Sequence, residues 1–495
     1  MKQAPGMRVL FVTALLVRLA SVFVVQTSYV PDETWQCTEV AHKLVFGSGH
    51  LTWEWQEGLR SYLHPLLFSL PLLVLKLLRF DSAALVILVP RLFQALLCFA
   101  GDVLLYRLVV KLYGHSQATY SVIMQLSSWY LFYVSPRPLV NNIETLLITA
   151  TLNLWPTRYN DKVTYPAVIL AALSVAIRPT LVLFWVFLGV HYLIKCPERR
   201  FSSIIKAFVI GLPTLVLTTL LDSYMYGKFT FVFQNFLKFN MAGSEVYGAH
   251  PWHWYLSQGV PAILGTHSIF IAVAFIKERD YPRQFLGVVL ATLFFFSTIS
   301  HKEFRFVQHL MPICMVWAGL GLHWISRHIE RSSLYTIIML NALVNIIVAF
   351  YIGFFHQRGT ISVVHDLSSS VKSGDSVVFL TPCHATPFHS HIHNAEVDLR
   401  FLDCSPDLSG LESYEHEEKQ FYRDPQSWWK KFSGEKKRVA KSTEYVVAFE
   451  ENLPHLHKLL KDSGYKVDRK YFFAHLLVDD KLTSHLLLYK KTWGA

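Results

Sequence analysis

About eleven apolar stretches, each near the roughly 20 residues a helix needs to cross a bilayer, recur along this 495-residue chain. Such a pattern leaves little besides a polytopic α-helical membrane protein. The approximate spans are 8–28, 62–78, 83–111, 117–135, 138–155, 166–194, 203–224, 259–276, 284–300, 304–326 and 333–355. The pair from 117 to 155 is joined only by Ser135-Pro-Arg-Pro138, so a re-entrant arrangement stays open there. Charged residues make up 16% of the chain, against about 25% in soluble domains. The net charge of +11 does not point to nucleic acid, because Lys and Arg are spread out without a long basic run.

Those basic residues act as topology signals instead. Lys195 with Arg199 and Arg200, Lys277 with Arg279 and Arg283, and Arg327 with Arg331 all fall on the side of the N-terminus, which the positive-inside rule makes cytosolic. Arg158 and Lys162 interrupt the pattern slightly. An odd number of crossings places everything after about His356 on the opposite side, together with the loops at 29–61 and 225–258. The expected division is a transmembrane domain at 1–355 and a C-terminal domain at 356–495. The first stretch contains Arg18 and lacks an A-x-A-like cleavage site, as an uncleaved anchor would. Arg18, Arg91, Asp102, Glu144 and Arg178 lie inside apolar spans, so each should have a partner or line a cavity.

Two polar clusters carry most of the chemistry. In Tyr29-Val-Pro-Asp-Glu-Thr-Trp35, Pro31 stops the preceding helix and presents Asp32 and Glu33 just outside the hydrocarbon, where a carboxylate can serve as a base. The alternative is that Asp32 caps the next helix, expected from about 33 to 46 and ending at Gly47 and Gly49. In Ser300-His-Lys-Glu-Phe-Arg-Phe-Val-Gln-His309, His301, Lys302, Arg305 and His309 gather at a membrane surface, suited to an anion or simply to snorkelling toward headgroups. Glu303 lies within the same turn and is placed to orient Lys302 or Arg305. Between the clusters, Leu51-Thr-Trp-Glu-Trp55 and Arg60-Ser-Tyr62 offer either an interfacial aromatic belt or stacking faces and hydrogen bonds for a sugar.

After His356 the composition turns polar. Strand-like runs at 376–380, 445–449 and 484–489 and a helix at 453–460 indicate a small α/β domain. His389, His391 and His393 would share one face of a strand, yet no carboxylate or cysteine completes a metal set at recognisable spacing, and the six cysteines include no C-x-x-C. No metal site is expected. In an oxidising lumen Cys383 and Cys404 are candidates to pair.

Together, Pro31-Asp-Glu33, Thr52-Trp-Glu-Trp55 with Arg60-Ser61, and His301-Lys-Glu-Phe-Arg305 resemble the dolichyl-phosphate-mannose-dependent mannosyltransferases of the GT-C superfamily over nearly the whole chain. Pro382-Cys-His384, Arg400-Phe-Leu-Asp-Cys404 and Pro406-Asp407 look most like members that act on GPI-anchor precursors. The resemblance implies a GT-C fold in the endoplasmic reticulum membrane, with the active site and C-terminal domain luminal. It further implies transfer of mannose from dolichyl phosphate mannose to the 2-hydroxyl of the second mannose of a GPI glycolipid, without cofactor or metal. An α product from a β-linked donor requires one inverting displacement. Asp32 would be its base and Glu33 a partner or acceptor ligand. His301, Lys302 and Arg305 would stabilise the leaving phosphate, while Trp53, Trp55, Arg60 and Tyr62 would hold the acceptor. Alternatives are the same chemistry on a dolichol-linked N-glycan precursor, a transporter lined by Arg18, Arg91, Asp102 and Glu144, and a noncatalytic scaffold. The transporter lacks an inverted-repeat signature, and the polar clusters lie at one membrane face rather than at its midplane.

Overall fold

The computed structural model describes residues 5–156, 161–242, 248–278, 283–406, 414–438, 443–450, 454–477 and 480–492. Arg158, Arg279 and Asp407, used in the sequence reading, lie outside them. The chain divides into two units, one of Met1–Phe23, Glu57–His64 and Arg91–Ala349, the other of Val24–Gln56, Pro65–Pro90 and Phe350–Ala495. Residues 350–495 thus share a unit with 24–56 and 65–90.

Without water to satisfy backbone groups, apolar segments of this length fold as helices. Among the described residues, Gly6–Val24, Ala83–Leu112, Pro197–Tyr226, Phe304–Ser326 and Arg331–Phe354 are long and apolar enough to cross a membrane. The pair Tyr255–Leu264 and His267–Lys277 qualifies jointly but bends by 105° at Gly265, whose φ of 52° lies in the left-handed region. Leu63–Leu78, Tyr165–Ile177, Pro179–Lys195 and Phe285–Thr298 are apolar but shorter. Among the described residues, two of the expected spans are interrupted. The expected span 166–194 breaks where Pro179 forces Arg178 into extended backbone (φ −140°, ψ 102°). The expected span 117–135 breaks at Ser128, whose hydroxyl accepts from Leu131 N and starts the short helix Trp129–Val134.

In the first unit, Phe304–Ser326 is almost wholly buried, whereas the other long spans expose most of their surface. Gly319 and Gly321 let it approach Ser121 and the Phe270 carbonyl so closely that a methyl group at either position would overlap backbone atoms. Arg18 has the partner its burial demands: its Nε and Nη2 donate to Asp102 at 2.9 and 2.8 Å, and Gln125 Nε2 donates to the same carboxylate at 2.6 Å.

The second unit contains a five-stranded mixed sheet in the order β2-β1-β3-β5-β4. Its strands are β1 Ser376–Leu380, β2 Asp398–Phe401, β3 Tyr445–Phe449, β4 Tyr465–Phe472 and β5 His485–Lys491. β1 pairs in parallel with β2 and β3, and β5 runs antiparallel to β3 and β4. Because side chains alternate across a strand, Val377, Phe379, Val447 and Leu488 enter one core while Val378, Leu380, Val446 and Leu487 enter another on the opposite face. Burial on both faces explains the uninterrupted apolar run of β1. β2 and β4 were not anticipated. β4 is an edge strand carrying Lys466, Asp468, Arg469 and Lys470, a pattern that protects an edge and hides the strand from hydrophobic reading.

Candidate active site

In the second unit, helical backbone begins at Asp32. The Pro31 carbonyl accepts from Thr34 N at 3.0 Å and Trp35 N at 2.9 Å. Pro31 therefore supplies the capping carbonyl, and Asp32 opens the helix rather than preceding it. Glu33 reaches back so that its Oε1 accepts from Tyr29 N at 3.1 Å. The helix then widens into a π turn, Thr34–Thr38, before continuing as Glu39–Phe46 and ending at left-handed Gly47, as its sequence predicts. Such π turns often mark functional sites.

Trp53 and Trp55 occupy a single helical turn, Trp53–Gln56, with both side chains buried, so neither forms an interfacial belt or an open stacking face. The polar residue between them contacts the Asp32 helix, as Gln36 Nε2 donates to Glu54 Oε2 at 2.8 Å.

In the first unit, Arg60 and Tyr62 are fixed by the C-terminal end of the helix Arg200–Tyr226. Tyr226 Oη donates to the Arg60 carbonyl at 2.7 Å, while Asp222 accepts from Tyr62 N at 2.8 Å and Ser61 Oγ at 3.1 Å. The Tyr62 ring meets Tyr226 edge-on at 5.0 Å and is itself buried. Asp222 was missed in the sequence reading; the signal was an acid inside the apolar span 203–224, the same anomaly that singled out Glu144.

The basic segment is more nearly neutral than its composition suggests. Arg305 donates through Nε and Nη2 to both oxygens of Glu303 at 2.6 and 2.7 Å, and His301 Nε2 lies 3.0 Å from Glu303 Oε1. Burial alone would raise the Glu303 carboxyl, but the Arg305 guanidinium and the His301 contact outweigh it and hold it well below the usual carboxylate range. Lys302, expected to face phosphate, instead donates through Nζ to the carbonyls of His250 and Ile299 and is buried. Glu303 thus orients Arg305 and His301, not Lys302. A 3₁₀ turn, Phe304–Leu310, follows, and the guanidiniums of Arg305 and Arg178 lie 5.5 and 5.4 Å from the centre of the same Phe306 ring. Beneath it, Glu144 accepts from Asn141 Nδ2 at 2.6 Å and stands 3.6 Å from Arg178 Nε and 3.8 Å from His309 Nδ1. Glu144 and Arg178 therefore have the partners expected of intramembrane charges.

For metal ligation, the sole group of converging donors among the described residues is Cys383, His384 and Cys404, and its sulfurs are joined as the Cys383–Cys404 disulfide. The expected strand of alternating histidines is a helical turn, His389–Ile392, followed by left-handed His393, so the three rings do not share a face.

This architecture is a GT-C fold. The chain aligns with the crystal structure of ArnT from Cupriavidus metallidurans bound to undecaprenyl phosphate at a TM-score of 0.63, covering 98% of each chain at 11% identity. It aligns with the Archaeoglobus fulgidus oligosaccharyltransferase at 0.54, covering 94% of this chain and 72% of the other at 11% identity. Within that class, the chain belongs to the Alg9-like mannosyltransferase family, whose model matches residues 9–393. It is a membrane-embedded glycosyltransferase that uses a lipid-linked sugar donor and a glycolipid acceptor. Similar relatives are the GPI alpha-1,2-mannosyltransferase 3 of Bos taurus, 38% identical over 98% of this chain and 88% of the relative, and that of Homo sapiens, 38% identical over 97% and 86%. The enzyme of the same name from Danio rerio is 35% identical over 96% and 89%.

Proposed function

We propose that the protein transfers mannose from dolichyl phosphate mannose to the 2-hydroxyl of the second mannose of a GPI precursor, on the luminal face of the endoplasmic reticulum membrane. The observation that carries this reading is near full-length similarity to curated GPI alpha-1,2-mannosyltransferases, extending through the tail and beyond the family match that ends at residue 393. Asp32 removes the proton of the acceptor hydroxyl. The acceptor oxygen attacks the anomeric carbon from the face opposite the phosphate, the carbon–oxygen bond to phosphate breaks, and its electron pair leaves with dolichyl phosphate. Arg305 and His301, oriented by Glu303, meet the developing phosphate charge, and Lys302 adds positive charge from the carbonyls that hold it. A phosphate leaving group so stabilised needs no general acid, and the reaction is proposed to proceed without divalent metal. Arg60 and Tyr62 serve the acceptor side through the loop that Asp222 fixes. Trp53 and Trp55, buried in the turn that carries Glu54, are assigned to the acceptor side with them.

Detergent-purified protein incubated with labelled donor, a dimannosyl GPI precursor and a chelator tests the assignment. Wild type should form product, and Asp32→Asn should lose about 10²- to 10⁴-fold in rate while still binding donor. Undiminished transfer by Asp32→Asn would reduce that residue to a structural role, and a chelator-sensitive wild type would overturn the metal-free mechanism.

A further inference from the structure

Asp32 lies in the same structural unit as the C-terminal domain, and the helix it opens is pinned into that domain along one face. Trp35, Glu39 and His42 are spaced by four and then three residues, so they share a helix face. The Trp35 indole is a member of the sheet's own hydrophobic core, with the Phe388 and Phe401 rings at 5.2 and 5.0 Å. Its Nε1 is shared between the carbonyls of His384 and Thr386 at 3.2 and 3.1 Å. Glu39 is fully buried, with Oε1 accepting from His389 N and His50 N at 3.1 Å each and Oε2 accepting from Ser390 N at 2.8 Å. His42 Nε2 meets His393 Nδ1 at 2.7 Å. The hydrogen-bond partners of these three side chains in the domain fall between residues 384 and 393, a segment whose start is tied through Cys383 to Cys404, just beyond β2.

The chain entering Asp32 is held by the same unit. Between Val24 and Asp32 the backbone is irregular, and Gln26 N and Ser28 N donate to the carbonyls of Gly353 and Gln357 at 2.7 and 3.0 Å. Gln357 N in turn donates to the Phe473 carbonyl at 2.7 Å, in the domain itself. A loop of this kind does not define a side-chain position to the few tenths of an ångström that proton transfer requires. A buried carboxylate with three backbone donors and an indole embedded in a sheet core do define it, because moving either leaves buried polar groups unpaired.

We propose that Trp35 and Glu39 are positioning residues for Asp32, that the Cys383–Cys404 bridge braces the segment receiving them, and that the C-terminal domain is therefore a working part of the catalytic site. The proposal rests on Asp32 being the base.

The test uses the full-length protein in detergent, with kinetics on Asp32→Asn, Glu39→Gln and Trp35→Phe and hydrogen exchange read over residues 31–46. Both positioning variants should lower kcat about ten- to hundredfold per folded molecule, leave the donor KM within about twofold, and speed exchange in that segment. An unchanged kcat in both variants despite faster exchange would show an anchor that is structural only and overturn the proposal. If Asp32→Asn is as active as wild type, the base assignment fails instead, which separates the two readings. Should the variants not fold, the disulfide gives an independent arm. Opening it in folded wild type with a reductant, followed by mass spectrometry, should lower kcat reversibly, and the Cys383→Ser/Cys404→Ser protein should show low kcat without response to reductant. Unchanged wild-type kcat with the bridge open would overturn the bracing role.

Discussion

Arg305 shows how one carboxylate can make a cation more useful while cancelling part of its charge. The two-point contact with Glu303 fixes the guanidinium plane, and planar, pre-oriented donors are what phosphate oxygens require. His301 shares the same carboxylate, so the three side chains behave as one group. Lysine would keep the charge but not the fork. Arg305→Lys should therefore lower kcat/KM for the lipid-linked donor about tenfold or more in steady-state assays, with folded yield preserved. Equal kcat/KM would mean that Arg305 acts only as a point charge. Of the two adjacent acids, Glu33 accepts from Tyr29 N and Asp32 opens the helix.

Among the elements, the buried helix Phe304–Ser326 joins the cation segment to the packing of the first unit. Its approach to neighbouring backbones at Gly319 and Gly321 leaves no room for a side chain, and backbone cannot yield as a flexible side chain would. Gly321→Ala should sharply reduce the yield and melting temperature of detergent-purified protein. Gly211→Ala, in a helix where a methyl meets nothing within 4 Å, should leave both unchanged. Equal behaviour of the two variants would refute the close packing. The second unit carries a different sensitivity. Burial pushes His42, His384 and His389 down to about 4 from an ordinary value near 6.5. Between those values the unfolded chain binds protons that the folded domain does not, so stability is complete above about pH 6.5 and is lost as pH falls toward 4. For His42, which is fully buried, the loss is on the order of 3 kcal/mol. Exchange protection of the sheet should fall across that window and be flat from pH 7 to 8; protection unchanged down to pH 4.5 would contradict it.

At the scale of the whole molecule, the membrane class and the two polar clusters were legible because they depend on local composition and short spacing. So were β1, β3 and the helix stop at Gly47. What was not legible depends on partners distant in sequence. Trp53 and Trp55 read as surface aromatics because nothing in their spacing reveals burial. The hold on Lys302 was not legible because the carbonyl of His250, which receives it, lies 52 residues away. The histidines at 389–393 read as a strand face but follow a helical turn tied to Glu39, 350 residues earlier. The tail carried no readable role for the same reason: its contacts with the Asp32 helix are formed by Trp35, Glu39 and His42, which by spacing alone look like ordinary helix residues.

The most direct measurement of the central claim is the structure of the product. Purified protein would be given β-linked dolichyl phosphate mannose with equal amounts of a dimannosyl GPI precursor and a dolichol-linked N-glycan precursor. The products would be analysed by mass spectrometry, nuclear magnetic resonance and digestion with an α-1,2-specific mannosidase. The account predicts one mannose added to the GPI precursor alone, in α-linkage and removable by that mannosidase. Addition to the N-glycan precursor instead, or a GPI product resistant to the enzyme, would contradict it.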